Sequence, residues 1–395
     1  MHGIAQPTLQ SQPQRRQFHR VMGGLALASV CLPARLLHAQ GTEKIRLGQS
    51  AAFSGPAAEL GVQFNKGAKL YFKGLNARGG VGGRAVEMVE LDDGYEPART
   101  TENTKKLIAD GVFALFGYIG TPTTLAALPL ATEARVPLWA PFTGAQGLRD
   151  PFNRYVFHVR ASYFDETAAI VRQATAVGIN RIAVFHQNDS YGQAGLEGVR
   201  RALEAEKREI AATGTVERNS VDVAKAVADI MAKKPEAIVQ ISAYKSCAAF
   251  IREARKAGFV GTFYNVSFVG TQALATELGK DARGVVISQV MPFPFTPVTP
   301  LAGEFLKAIA EEKSDLVPNY SAIEGYVAAR VFAEAAVRGG GGSGRGLSRE
   351  AFIAGAESMR GVNLGGFVVD FHAQKHVGSR FVELVMLDES GRARR

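Results

Sequence analysis

The sequence predicts an α/β protein of two doubly wound lobes. Three observations predict it. The 395-residue chain is longer than one ordinary core and suits two units of roughly 150 residues. Short apolar runs alternate with amphipathic stretches along its length, the pattern of parallel strands linked by helices. The alternation also starts afresh near Tyr163, so the unit occurs twice.

The first series opens with IRLGQSAA (45–52), a strand, and the run from Pro56 to Ala77, a helix with apolar residues three and four apart. GGVGGR (79–84) is a turn into the strand AVEMVEL. EPARTTENTKKLIADG is a helix closed by glycine, VFALFG a strand, and ATEARVPLWAPFTGA continues the pattern. In the second series FDETAAIVRQATAVG, YGQAGLEGVRRALEAE, VAKAVADIMAKK and YKSCAAFIREARKAG read as helices, with RIAVFHQ and EAIVQIS as strands. The prolines of 285–300 mark extended crossover chain. Helices follow around Leu301–Glu312 and Tyr320–Arg338, then the glycine loop 339–346, a short helix and a terminal hairpin ending FVELVML. On this basis the first lobe covers 41–160 and 293–364, the second 161–292 and 365–390, and 391–395 form a basic tail.

Residues 1–40 read as an export signal. QRRQFHR precedes the small, apolar run VMGGLALASVCL, with a cleavage point after Ala39. Arg15-Arg16 followed by Phe18 resembles the twin-arginine signal of bacteria, which implies a periplasmic destination. Removing this segment takes away four arginines and no acids, so the net charge falls from +9 to +5. Three more arginines lie in the tail GRARR. The near-balanced body lacks the electrostatic basis for nucleic-acid binding. Cys247 is then the one remaining cysteine, so no disulfide forms within the mature chain.

In doubly wound sheets ligands sit beyond the carboxyl ends of the strands, beside helix N-termini. The segments expected there are FSGP (53–56), GTPTT (120–124), PFTGA (141–145), HQNDSYG (186–192), SAYKS (242–246) and NVSFVGT (265–271). They are rich in hydroxyls, aromatics and glycines, and poor in charge. No G-x-S-x-G nucleophile turn and no phosphate-binding G-x-x-x-x-G-K-[ST] occurs among them. GGVGGR precedes a strand, the reverse of a dinucleotide fingerprint. His372 and His376 lie on FHAQKHVGSR, a solvated turn between strands and no metal pair; His186 is an ordinary hydrogen-bonded histidine; Asp92-Asp93 satisfy free amides rather than form a catalytic pair. Neither catalytic residues, metal nor cofactor is expected. These loops can hold a small anion: a helix N-terminus offers free N–H groups and a favourable dipole, Thr121 and Thr143 add donors, and Pro122 fits the first turn.

IRLGQSAAFSGPAAELG, NARGGVGGRAVEMVELDDGYEPARTTENTKKLI, VPLWAPFTGA and IAVFHQNDSYG together resemble the leucine/isoleucine/valine-binding family of periplasmic solute receptors for ABC transporters, from about Lys44 to Leu387. The resemblance implies a type I periplasmic binding fold, a clamshell closing about a three-strand hinge. It implies that Gly120 and Thr121, with Phe142, Thr143 and Gly144, bind the ligand carboxylate from the first lobe. Tyr191 and Tyr244 would cover the ligand from the second, and Phe53 and Ser54 line the side-chain pocket. Amino-acid-binding members place an acid where this chain has Ser267, which argues against an α-ammonium; Asp189 is the one nearby substitute. The expected partners are a small-molecule carboxylate and a membrane ABC permease, for a monomeric receptor. A sensory subunit of a signalling system and a small-amide hydrolase are the alternatives.

Overall fold

A computed structural model describes residues 43–341 and 347–395. The export segment and residues 342–346 of the glycine run lie outside the described residues.

The first lobe begins as a regular βα alternation: β1 (Ile45–Ala51), α1 (Ala58–Ala77), β2 (Val86–Asp92), α2 (Pro97–Ala109), β3 (Ala114–Phe116), α3 (Thr121–Glu133), β4 (Leu138–Trp139) and β5 (Val156–Phe157). All five strands are parallel, in the order β2-β1-β3-β4-β5. The second lobe repeats the plan with α4 (Tyr163–Ala176), β6 (Ile182–Gln187), α5 (Ser190–Ala205), β7 (Thr213–Val216), α6 (Ala224–Met231), β8 (Ala237–Ile241), α7 (Tyr244–Lys256), β9 (Thr262–Asn265), α8 (Thr271–Leu278) and β10 (Val286–Gln289). Its parallel strands run β10-β9-β8-β6-β7, the same winding order met from the other edge. The chain then returns to the first lobe for α9 (Pro300–Glu311), α10 (Tyr320–Ala336), α11 (Arg349–Glu357) and the small pair β11 (Val362–Asn363) and β12 (Val368–Val369). It ends in the second, where β13 (Glu383–Leu387) and β14 (Ala393–Arg394) add antiparallel strands beside β10.

Periodicity explains these elements. The central parallel strands are buried on both faces and read as continuous apolar runs, as in IAVFHQ of β6, where every residue is buried. Helix α10 is covered nearly all round. Its contact with α1 is a backbone contact: a Cβ on Gly67 would fall 1.8 Å from the Ala322 carbonyl oxygen, and one on Gly325 would fall 1.9 Å from that of Phe64. Behind it Phe72, Phe116, Trp139, Phe332 and Phe352 pack edge-to-face or tilted, and the Trp139 indole donates to the Ala328 carbonyl at 3.0 Å.

The chain passes between lobes three times, after β5, after β10 and near His376. The first and third crossings lie side by side: His158 N donates to His376 O at 2.8 Å, and Gly378 N donates to His158 O at 2.7 Å. This corrects the expectation of a solvated turn at both histidines. His372 does sit on such a turn, closed by backbone bonds with Lys375, but His376 is buried. Its ring stacks on Phe157 at 3.8 Å, and its nitrogens meet Val156 O and Glu357 at 3.1 Å each. Pairing between two distant crossings, which local sequence does not reveal, buries it.

Candidate functional site

Both sheets reverse their winding direction between two neighbouring strands, β1/β3 in one lobe and β6/β8 in the other, and in such sheets that point opens a binding crevice. From the first lobe, Gly120 caps α3 with φ 96°, and a Cβ there would lie 2.2 Å from the Tyr95 ring, so only glycine fits. Thr121 and Pro122 form the first helical turn, whose N–H groups have no acceptor within the helix. Thr121 Oγ1 and Thr143 Oγ1 are 2.6 Å apart, while Thr123 and Thr124 both bond the Gly120 carbonyl. GTPTT thus offers backbone donors and one threonine pair; its other hydroxyls close the turn. Beside it the Phe142 ring lies 5.7 Å from Phe268 of the second lobe.

In the second lobe Asp189 caps α5, accepting from Tyr191 N at 2.9 Å and Gly192 N at 3.4 Å. It also accepts from Gln187 Nε2 at 2.6 Å and Arg218 Nη1 at 3.3 Å, so its charge is already committed. The cap fixes Tyr191, fully buried, with its ring 4.6 Å from Phe268 and 5.4 Å from Tyr163. Tyr163 is placed by a capping box, Ser162 Oγ accepting from Asp165 N at 3.1 Å and the Asp165 carboxylate accepting from Ser162 N at 3.0 Å. Burial pushes the Tyr163 phenol up to about 12, with Arg160 pulling the other way. The Tyr191 phenol is also pushed well above its ordinary value by burial. Tyr95 Oη, from the first lobe, accepts from Gln187 Nε2 at 3.3 Å.

At the centre is Arg160, on the first crossing and 1% exposed. Its Cζ lies 4.6 Å over the Phe142 ring, Nη2 donates to Ser267 Oγ, and Nε stands 3.4 Å from Glu324. Glu166 lies 3.9 Å from Nη2 and accepts from Ser267 N at 2.7 Å, Ser267 Oγ at 3.0 Å and Ser288 Oγ at 2.6 Å. Burial raises Glu324 to about 7 against the pull of Arg160. Arg149 is brought down to about 10 by burial, then by Arg160.

The structure therefore gathers Gly120, Thr121, Phe142, Thr143, Gly144, Tyr191 and Ser267 into one buried group. Phe53, Ser54 and Tyr244 stand apart. Ser54 Oγ donates to Asp92 at 2.6 Å, and Asp92 also accepts from Phe53 N at 2.9 Å, so that carboxylate serves amides as expected. Tyr244 lines a separate cavity of about 460 Å³ between α1 of the first lobe and α7 and α8 of the second, with Glu59, Leu60, Lys245 and Gln272. Sequence reasoning missed Arg160, Tyr163 and Tyr95, and gave Gln187 and Phe268 no role beyond their place in the strand-end segments. One signal was available: Arg160 is the lone charge in the apolar run YVFHVRASYF. On the outer rim the lobes are joined by Glu96, which meets Arg218 Nη2 at 3.0 Å and Asn219 Nδ2 at 2.7 Å, while Asn219 Nδ2 also reaches Gly94 O at 3.2 Å. Among the described residues no cluster of His, Cys, Asp and Glu could hold a metal ion.

Two like-wound α/β lobes, crossed three times by the chain and meeting at their strand ends, define the type I binding-protein class. The chain belongs to the periplasmic binding protein family, of the leucine/isoleucine/valine-binding kind: the family model matches residues 44–392. A possible leucine/isoleucine/valine-binding protein from Rhodopirellula baltica is similar to it at 33% identity and TM-score 0.85, over 90% of this chain and 97% of that one. A substrate-binding periplasmic protein from Ralstonia solanacearum is similar at 31% identity and TM-score 0.82, over 89% and 99%. The Leu/Ile/Val-binding protein of Citrobacter freundii is 22% identical over 294 residues, 74% of this chain and 80% of its own length. These relatives are binding proteins rather than enzymes.

Proposed function

We propose that the protein is a monomeric, exported receptor that captures a small carboxylate-bearing solute between its lobes and presents it to the permease of an ABC transporter. One observation carries the reading: donors from both lobes converge on the same buried group, with the α3 N-terminus and the Thr121–Thr143 pair on one side and Tyr191 on the other. Hydrogen bonds to a charged partner contribute about 1.5 to 3 kcal/mol each, so three roughly account for micromolar binding, about 8 kcal/mol. Contacts with both lobes exist only when the lobes meet, so the solute favours closure by population shift. The binding-protein relatives named above support the receptor role, and the signal-like residues 1–40 support export to the periplasm.

The test is a thermal-shift screen of small carboxylates followed by calorimetry on the compounds that raise the melting temperature. A micromolar binder that also changes the small-angle scattering profile is expected. Binding without any change in scattering would refute closure, and turnover of the bound compound would refute a receptor.

A further inference from the structure

Arg160 carries more polar capacity than its protein partners use. Arginine presents five N–H donors and no acceptor. Here Nη2 donates to Ser267 Oγ, Nε faces Glu324 without hydrogen-bond geometry, and Nη1 has no hydrogen-bond partner among the described residues. Two phenols share its surroundings. Tyr163 and Tyr191 are fully buried; the Tyr191 hydroxyl has no partner among the described residues, and that of Tyr163 has only Thr143 beside it, without good hydrogen-bond geometry. Buried polar groups in native cores are nearly always paired, so three such side chains beside one another point to a ligand.

The charges around the guanidinium say which kind. Glu166 and Glu324 are the carboxylates facing it, at 3.9 and 3.4 Å. The oxygens of Glu166 already serve Ser267 and Ser288. A second cation, the partly buried Arg149, bonds the carbonyls of Ala145 at 2.9 Å and of Arg160 and Ala161 at 3.2 Å each. An incoming ammonium would meet two arginines, with Glu166 already accepting three hydrogen bonds and Glu324 held 3.4 Å from Arg160 Nε, and like charges at short range in a buried site repel strongly. An oxygen acceptor would meet unused donors.

We infer that Arg160, with the hydroxyls of Tyr163 and Tyr191, contacts the solute and sets its class: a small carboxylate whose second polar group is an oxygen, as in 2-hydroxy and 2-oxo acids, and not an α-amino acid. This rests on the receptor reading and narrows it.

The experiment is calorimetry on the purified full chain with three matched series: leucine, 2-hydroxyisocaproate and 2-oxoisocaproate; alanine, lactate and pyruvate; phenylalanine, phenyllactate and phenylpyruvate. In any series that binds, an oxygen acid is expected to bind at least about 30-fold tighter than its amino acid. Arg160→Gln should weaken the oxygen acid at least about tenfold, and Tyr163→Phe or Tyr191→Phe about three- to tenfold. The phenylalanine variants keep both rings, so they decide the matter even if Arg160→Gln fails to fold. Tighter binding of the amino acid would overturn the solute class and leave the receptor standing. Unchanged affinity in the folded variants would overturn the assignment of these side chains to the solute. Silence from all nine compounds would overturn this inference and the carboxylate reading together.

Discussion

Glu96→Ala at the outer rim tests whether closure and binding are one equilibrium. The side chain is 43% exposed and its partner Arg218 24%, so their ion pair contributes about 0.2–1 kcal/mol. The 2.7 Å bond from Asn219 adds about 1 kcal/mol. Arg218 keeps Asp189 at 3.3 Å after the substitution, so no stranded charge enlarges the effect. The closed state should lose about 1.5 kcal/mol, which divides the closed-to-open ratio by about ten. If only the closed form holds the solute and the open form predominates without it, the apparent Kd rises by the same factor. Calorimetry with a carboxylate identified in the screen should show that loss, while the unliganded melting temperature barely moves. Added salt should weaken the parent protein more than the variant, because the pair is partly solvated. An affinity within twofold of the parent at low salt would refute the coupling of this contact to binding.

Tyr191→Ala should weaken solute binding at least about tenfold while far-UV circular dichroism stays native, since the ring lies against Phe268 and Tyr163 at the proposed site; undiminished affinity would contradict that placement. Glu324 has a folded-state value of about 7, raised by burial, so its contribution to stability is complete below the unfolded value near 4.3 and is lost as pH rises through 7. The melting temperature should therefore fall between about pH 5 and 8, and Glu324→Gln should flatten that slope; an unaltered profile would show that the group does not titrate there. Gly325→Ala should destabilise by about 3 kcal/mol in urea because its methyl meets the Phe64 carbonyl, whereas Gly147→Ala, with open space around it, should be near neutral. Equal effects would contradict the close α1–α10 approach.

Much of the architecture was legible because it is written locally. The apolar run of β6 and the three-and-four spacing of α1 each reveal an element within a dozen or so residues, and the restart at Tyr163 reveals the second lobe. The hydroxyl-rich strand ends were equally visible, which is why Thr121, Thr143 and Tyr191 could be singled out. What escaped was non-local. Arg160 is buried by Ser267 and Glu324, more than a hundred residues downstream, and neither pairing leaves a periodic trace. Phe268 looked like an ordinary apolar residue until two lobes placed Phe142 and Tyr191 against it. His376 reads as solvated for the same reason, its neighbours being Phe157 and Glu357. Tyr244 and Ser54 stand apart because a strand end says which loop lies at the rim of a crevice, not which way its side chains turn.

The threefold passage of the chain between lobes has a consequence for biosynthesis. All five strands of the first sheet leave the ribosome by Phe157, yet α10, which seals α1 and the Trp139 cluster, ends at Ala336. At translation speeds of about 5–20 residues per second, that apolar face waits roughly 10 to 40 s for its cover. A nascent protein of this design is a natural client for chaperones that shield hydrophobic surface, and fragments truncated before Tyr320 should aggregate rather than yield a free-standing half.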